Sequence, residues 1–435
     1  MNEYTLTNLK FPDCAGIDGD TIHISGGHVA AIGADRSARG VEIDCGGLTA
    51  LPSLVDNHVH FREPGAEEKE DFASGSAAAA HGGVGMVLEV QNSLPLLTTP
   101  ELVRAKREIV SRKSSVDVAF YASAVKETLS HMDEMAAQTA GFKLFMAPSH
   151  ADEGYDNEEA MRPFFTHCAR LGSLLIVHAE DGRLIGQHAE GLDPGNPADF
   201  SSVRSPAAEI HAVECAINVA RDCGTRLHIF HVTTAGAVDL IADARAEGVD
   251  VSASTCPHYL FFTDADTARY GSRLKVFPSI KSEHDQKRLF EALREGIIEI
   301  VSTDHAPHKP EEKRLPFGKS PAGISSVDLL LPLMTTLVAR GKISLDEVVT
   351  LCAANPARVH RLAEKGAIRS GWPADLVLVD LEKRWTVEEG DFLSRASVSP
   401  YVGFELQGRV AATLVRGRPV FVDRAGKLSG AFARD

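Results

Sequence analysis

Two histidines separated by one residue, His58 and His60, follow a short apolar run that predicts a buried strand. Side chains at alternate positions of a strand point to the same face, so both imidazoles can reach one point at the strand's end. Imidazole is a frequent ligand of zinc and other divalent first-row metals. A His-x-His pair also occurs by chance on protein surfaces, so the metal interpretation depends on further ligands elsewhere in the chain.

Other chemically active side chains close or interrupt later apolar runs: His178, His231, Asp304 and Lys143. A single histidine at a strand end is more often an ordinary hydrogen-bonded polar residue than a ligand. Lys143 is the stronger anomaly, because a charged side chain inside a buried strand is rare and costly without a partner. If its pKa is lowered, the amine can add carbon dioxide, and the carbamate can bridge two metals. Together these residues favour a metal centre.

The elements that must position these side chains alternate between strand-like and helical patterns. Eight strand-like runs cover residues 54–59, 84–90, 116–122, 142–146, 174–178, 226–231, 249–253 and 298–302. This alternation predicts the α/β class and a (β/α)8 TIM barrel, in which functional residues lie at the C-terminal ends of the strands. A doubly wound open sheet is the alternative, but the chain has no glycine-rich dinucleotide fingerprint to support it.

The two ends of the chain differ from this pattern. Residues 1–50 and 371–435 consist of short strand patterns and turns. Neither end alone carries enough apolar surface for a core, so we predict one small β-sandwich domain formed by both ends around a catalytic barrel of residues 51–370. The stretch 182–205 is rich in glycine, proline and asparagine, and we expect a long functional loop there.

Composition narrows the class of partner. The net charge is -15 and no Lys/Arg-rich run occurs, so nucleic acid and anionic membrane are not expected partners. The seven cysteines are scattered without CxxC spacing, which is typical of free thiols in a reducing compartment. No signal-peptide pattern and no apolar run of membrane-spanning length occur. We therefore expect a cytoplasmic protein that does not enter a membrane.

Three motifs carry a family resemblance: residues His58 to Gly65, residues Thr303 to His308, and the loop from Ser320 to Ile324. They resemble the cyclic amidohydrolases of the amidohydrolase superfamily, which include dihydroorotase, hydantoinase and allantoinase. The similarity covers nearly the whole chain and is greatest to dihydroorotase of the class I type. It implies a zinc-dependent hydrolase of a cyclic amide C–N bond. The implied reaction is the reversible interconversion of dihydroorotate and N-carbamoyl-L-aspartate in pyrimidine biosynthesis, and the implied assembly is a homo-oligomer, a dimer or a tetramer.

The resemblance also implies a role for each matching residue. Two Zn²⁺ ions, bridged by carboxylated Lys143 and a hydroxide, would be held by His58, His60, His178, His231 and Asp304. Asp304 would also act as the general base and acid. Some dihydroorotases instead place an aspartate from the following loop near the metal, where this chain has Asp152. The substrate carboxylate would bind to Arg62, Asn92, His308 and the backbone of Ala322 and Gly323.

Two departures from the family pattern concern the substrate. Phe277 stands where the family commonly has an asparagine. Val90-Gln91-Asn92-Ser93 stands in place of the Met-Pro-Asn-Thr run of many dihydroorotases, and Asn92-Ser93-Leu94-Pro95 is closer to the allantoinase pattern. An allantoinase-like or hydantoinase-like ureide hydrolase is therefore the alternative activity. A catalytically silent dihydroorotase-like scaffold subunit is a third reading, but the complete metal set argues against it. Arg62, for its part, could instead form a structural salt bridge with Glu63 or Glu67.

Overall fold

The computed structural model describes residues 3–33, 40–90, 92–147, 154–155, 157–428 and 431–432. Within these residues the strands, in chain order, are β1 (Tyr4–Thr7), β2 (Thr21–Ser25), β3 (His28–Gly33), β4 (Val41–Asp44), β5 (Thr49–Pro52), β6 (Leu54–Val59), β7 (Val84–Glu89), β8 (Asp117–Phe120), β9 (Ala122–Ser123), β10 (Phe142–Phe145), β11 (Leu174–His178), β12 (Arg226–Ile229), β13 (Val251–Thr255), β14 (Ile300–Val301), β15 (Leu376–Thr386), β16 (Glu405–Val415) and β17 (Arg418–Val422).

The α-helices lie mainly between the barrel strands. They are α1 (Phe72–His81), α2 (Pro100–Lys113), α3 (Met132–Met135), α4 (Glu158–Leu171), α5 (Gly182–Ala189), α6 (Phe200–Val203), α7 (Pro206–Cys223), α8 (Ala235–Ala246), α9 (Pro257–Phe261), α10 (Asp264–Tyr270), α11 (Glu283–Arg294), α12 (Pro310–Lys313), α13 (Leu330–Ala339), α14 (Leu345–Val349) and α15 (Asn355–Val359). Side-chain N-caps start the long ones, for example Thr99 before α2 and Ser205 before α7. Among the described helices, none has the length and apolar character needed to cross a membrane.

The predicted eight-stranded parallel barrel is confirmed. Strands β6, β7 and β8 form one parallel run, and β9 to β14 form a second. Strands β8 and β9 are two halves of one barrel strand, since β8 pairs with β7 and β9 pairs with β10. The last strand meets the first through a parallel bridge between Val59 and His305, where the His60 N–H donates to the His305 carbonyl at 2.8 Å.

Individual strand bounds differ from the sequence expectation. The seventh barrel strand begins at Val251 instead of Val249. Gly248 has φ +88° and ends the preceding helix, and the Val249 N–H donates to the Ala244 carbonyl at 3.0 Å. The Val249 N–H therefore caps the end of the preceding helix, and the strand begins after it.

The two chain ends meet in a pair of four-stranded sheets, ordered β3-β2-β1-β4 and β17-β16-β15-β5. Alternate residues of β15 point to opposite faces of the second sheet. Leu376 and Leu378 join the core between the two sheets, whereas Val377 and Val379 join the core of the barrel. The second sheet therefore packs on both sides and attaches the β-rich domain to the barrel.

The expectation of one long loop over residues 182–205 is wrong in part, because α5 and α6 lie within it. The Asp181 carboxylate accepts a hydrogen bond from the Leu184 N–H at 2.9 Å and so starts α5 directly after β11. The residues between these two short helices, and residues 204–205 after α6, are irregular.

Candidate metal and substrate site

His58, His60 and Asp304 converge at the point where the first and last barrel strands meet. The Nε2 atoms of the two histidines are 3.2 Å apart, and they lie 3.2 and 3.3 Å from Asp304 Oδ1. The second ring nitrogen of His60, Nδ1, lies 2.8 Å from the Val90 carbonyl, which orients the ring. One ligand atom from each of these three buried residues lies within 4.8 Å of the other two, so the group could hold a metal ion.

His178 and His231 form a second pair on the neighbouring strands. His178 Nδ1 and His231 Nε2 are 3.0 Å apart, and the rings of His58 and His231 are 5.4 Å apart. Lys143 is buried beside them, with its Nζ 4.2 Å from the centre of the Phe230 ring. The structure therefore brings all six predicted ligand residues into one barrel mouth. Asp152 and Gln91 lie outside the described residues.

Burial sets the protonation of these groups. It lowers the pKa values of His58, His60 and His231 well below the ordinary histidine value, and neighbouring cationic groups add to that effect. Neutral imidazoles keep a lone pair available for a cation. Burial also raises the pKa of Asp304 to about 7, against the opposing effect of Lys143.

Backbone conformation directs several site side chains. The backbone φ angle is 64° at Arg62, 42° at His231 and 46° at Asp304. These values lie in the left-handed region, which residues other than glycine rarely adopt. Each of the three lies two or three residues beyond the end of a barrel strand. Such outliers cluster at functional sites, where the surrounding structure holds them against the strain.

The predicted substrate residues lie beside the histidines. The same cavity is lined by Arg62, Asn92, Ala322 and Gly323. His308 lies behind that wall, with its Nε2 3.3 Å from Arg62 Nη2 and 2.9 Å from the Ala322 carbonyl.

The hydrogen bonds of His308 define its tautomer. Lys69 Nζ lies 3.3 Å from His308 Nδ1, and because an ammonium group can only donate, Nδ1 accepts. Nε2 lies 2.9 Å from the Ala322 carbonyl, which can only accept, and 3.3 Å from Arg62 Nη2, which can only donate. The shorter contact favours a protonated Nε2 that donates to the carbonyl. His308 thus fixes the loop whose backbone borders the cavity, and Arg62 remains directed towards the cavity as its cationic wall.

Sequence reasoning missed three residues that support the site. Glu180 accepts a hydrogen bond from His178 Nε2 at 2.8 Å, and Arg204 pairs with Glu180. The His178-Ala179-Glu180 spacing, two residues apart, was a usable signal for Glu180, whereas nothing in the sequence marked Arg204. Phe145 also lines the cavity, together with Phe277.

Comparisons with known proteins agree with this geometry. The chain matches the Amidohydrolase family over residues 49–420. It is 36% identical over 409 residues to an allantoinase of Rubrobacter xylanophilus, covering 92% of this chain and 90% of that protein. It is 32% identical over 427 residues to a dihydroorotase of Deinococcus radiodurans, covering 96% and 99%. The solved L-hydantoinase (dihydropyrimidinase) from Arthrobacter aurescens superimposes with a TM-score of 0.90 at 29% identity, covering 96% of both chains. The chain therefore belongs to the Amidohydrolase family and is a hydrolase that acts on cyclic amides.

Proposed function

We propose that the protein is a two-zinc hydrolase of a cyclic amide that carries a carboxylate, with dihydroorotate as the first candidate substrate. The donor set fits the metal. Neutral imidazoles and a carboxylate are ligands that suit zinc, and the ring nitrogens of His58 and His60 meet Asp304 at 3.2 and 3.3 Å. His58, His60 and Asp304 would hold one ion, and His178 and His231 the other. Carboxylated Lys143 would lie between them.

Bound metal would supply Lewis-acid polarisation of the ring carbonyl and water of lowered pKa at neutral pH. The proton transfers are carried out by a side chain of the protein. Asp304 takes a proton from the attacking water as the new C–O bond forms, and it returns that proton to the ring nitrogen as the C–N bond breaks. In the reverse direction the same carboxylate removes the proton from the attacking amide nitrogen.

The single observation that carries the substrate assignment is the cationic wall formed by Arg62. Its guanidinium is buried, lines the cavity and lies next to His308. A guanidinium presents a planar fork that matches a carboxylate. His308 and Lys313 bind the carbonyls of Ala322 and Gly323, at 2.9 and 2.8 Å. Those hydrogen bonds hold the loop in place. The Gly323 N–H itself donates to the Lys275 carbonyl at 2.9 Å, so the Ala322 N–H is the backbone donor that would assist the guanidinium.

Turnover of paired substrates tests this proposal. Zinc-loaded protein should open dihydroorotate and close N-carbamoyl-L-aspartate, and it should act far more slowly on dihydrouracil, which has the same ring without the carboxylate. Arg62→Met should lower kcat/KM for dihydroorotate by about a hundredfold or more, because the carboxylate then lacks its charged partner, and it should have little effect on dihydrouracil. Equal turnover of the two rings by the unaltered protein would refute the carboxylate assignment.

Allantoin is the second candidate substrate. It is favoured by the Asn92-Ser93-Leu94-Pro95 run, which is closer to the allantoinase pattern, and by the similarity to the allantoinase named above. Turnover of allantoin without turnover of dihydroorotate would select it.

A further inference from the structure

His178 is held from outside the cavity by a carboxylate. Its Nε2 donates to Glu180 at 2.8 Å, and its Nδ1 faces His231 at 3.0 Å. Since the proton is on Nε2, the lone pair of a neutral ring is on Nδ1, the nitrogen that faces the other histidines. Glu180 thus selects both the tautomer and the orientation of His178.

Glu180 is in turn held by Arg204. Arg204 Nε donates to Glu180 Oε1 at 3.1 Å, and Arg204 Nη2 donates to Oε2. The side chains are 11% and 1% exposed, so this is a bidentate pair with little access to water. The position of Arg204 is fixed by its own backbone, because the Ser279 hydroxyl donates to the Arg204 carbonyl at 3.0 Å.

The Arg204 guanidinium also contacts the wall of the substrate cavity. Its Cζ lies 3.6 Å from the centre of the Phe277 ring, and Phe200 stacks near the same ring at 6.0 Å. Phe277 lines the cavity and offers it an aromatic surface without a donor or an acceptor. A polar group of a substrate that meets this surface loses its hydrogen bonds to water and gains none.

We propose that Arg204 is a positioning residue with two separate effects. Through Glu180 it fixes His178 for metal binding, and through direct contact it holds Phe277 as an apolar wall. That wall selects cyclic amides whose facing edge or substituent is apolar, and it discriminates against polar substituents such as a ureido group. The selectivity effect rests on the proposed cyclic-amide hydrolysis in this cavity, whereas the metal effect does not depend on the identity of the substrate.

Zinc affinity, measured by competition with a chromogenic chelator, tests the first effect without any turnover. Arg204→Met and Glu180→Gln should weaken zinc binding by about 10–100-fold, and Arg204→Lys should weaken it less. Phe277→Leu should leave the affinity unchanged. The matched control is Arg221→Met, because Arg221, near the end of α7, forms an exposed pair with Glu247. Unaltered zinc affinity in both Arg204→Met and Glu180→Gln would overturn the proposal. Arg204→Lys keeps the test informative if Arg204→Met fails to fold.

Selectivity tests the second effect with allantoin and 5-isobutylhydantoin. These compounds share one ring and differ only in substituents of similar size, one polar and one apolar. The unaltered protein should favour 5-isobutylhydantoin. Phe277→Asn should shift the ratio of kcat/KM values towards allantoin by about tenfold or more, and Phe277→Leu should preserve the order. Arg204→Met should reduce the preference although Phe277 is unchanged.

The two parts of the experiment separate the possible failures. If the protein opens neither hydantoin, the same comparison is made with their inhibition constants. These are measured as each hydantoin inhibits hydrolysis of the cyclic amide that the protein does turn over. A preference for allantoin, or a ratio that Phe277→Asn leaves unchanged, would overturn the selectivity effect. Absence of dihydroorotate turnover together with the expected zinc shifts would instead count against the proposed substrate alone.

Discussion

Replacing Lys106 with methionine should remove one member of a buried ion pair. Lys106 Nζ lies 2.6 Å from Glu89 Oε2, and the two side chains are 1% and 0% exposed. Glu89 ends β7 close to Arg62, and Lys106 reaches it from α2. The variant leaves the Glu89 carboxylate buried without its principal counter-ion.

The magnitude follows from the cost of an uncompensated buried charge. Removing one partner of such a pair costs about 3–5 kcal/mol of unfolding free energy. An unfolding entropy of about 2.1 cal/mol/K per residue means that each kcal/mol lowers the Tm of a 435-residue cooperative unit by about 1 °C. We therefore expect Lys106→Met to lower the Tm by about 3–5 °C at pH 8. Arg104→Met, on the same helix, is the matched control, because Arg104 is 51% exposed and pairs only with exposed partners, Glu101 and Glu134, among the described residues; it should lower the Tm by about 1 °C or less.

The pH dependence provides the decisive signature. Burial raises the pKa of Glu89, and Lys106 opposes that shift. Without Lys106 the folded-state pKa rises further, so the folded variant holds a proton that the unfolded chain has already lost above its ordinary pKa of about 4.3. Stability relative to the unaltered protein then falls as pH rises through this window. The loss of Tm should be smaller at pH 5 than at pH 8, in scanning calorimetry at constant zinc.

A double variant completes the test. Glu89→Leu with Lys106→Met replaces the pair by apolar side chains, and it should recover most of the lost Tm and remove the pH dependence. An equal loss of Tm at pH 5 and pH 8, or a double variant no more stable than Lys106→Met alone, would refute the reasoning.

Three further predictions concern the site directly. Lys143→Ala should reduce bound zinc, measured by mass spectrometry of the metal, together with turnover; a variant that keeps two zinc ions would contradict the bridging role. Gly323→Ala should raise KM for the carboxylate substrate about tenfold with a smaller effect on kcat, because Gly323 has φ +132° and a Cβ there would lie 2.4 Å from the Ala306 carbonyl oxygen; steady-state kinetics with unchanged KM would contradict it. Chelator treatment should lower the Tm and added zinc should restore it, because the metal binds only the folded chain; a Tm unaffected by the chelator would contradict zinc binding.

The barrel and the site at its mouth could be predicted because metal-binding types of residue occur at the ends of the repeating apolar runs in the sequence. His58, His178, His231 and Asp304 each follow an apolar run, and a parallel barrel brings the ends of all such runs to one face. The β-rich domain was predictable for a different reason, since neither end of the chain has enough apolar residues for a core of its own.

The support around the site could not be predicted in the same way. Arg204 reaches Glu180 only because the segment between α6 and α7 packs against the segment that holds Ser279. That contact depends on the packing of two irregular segments, which leaves no periodic signal in the sequence. Phe277 was visible as a departure from the family pattern, but its stacking on Arg204 required the structure.

Three site residues have a backbone conformation that costs stability but directs the side chains that the chemistry needs. Left-handed φ values at Arg62, His231 and Asp304 cost about 1–3 kcal/mol each, and glycine would adopt them without that strain. The chain instead has a cationic, an imidazole and a carboxylate side chain at these positions, and each points into the mouth of the barrel. At these three positions the backbone conformation favours glycine, whereas the chemistry requires another side chain. The eight surrounding strands show no such conflict and follow their sequence pattern. The conflict persists because the closed barrel, with its continuous buried core, holds these three residues in a conformation that none of them favours alone.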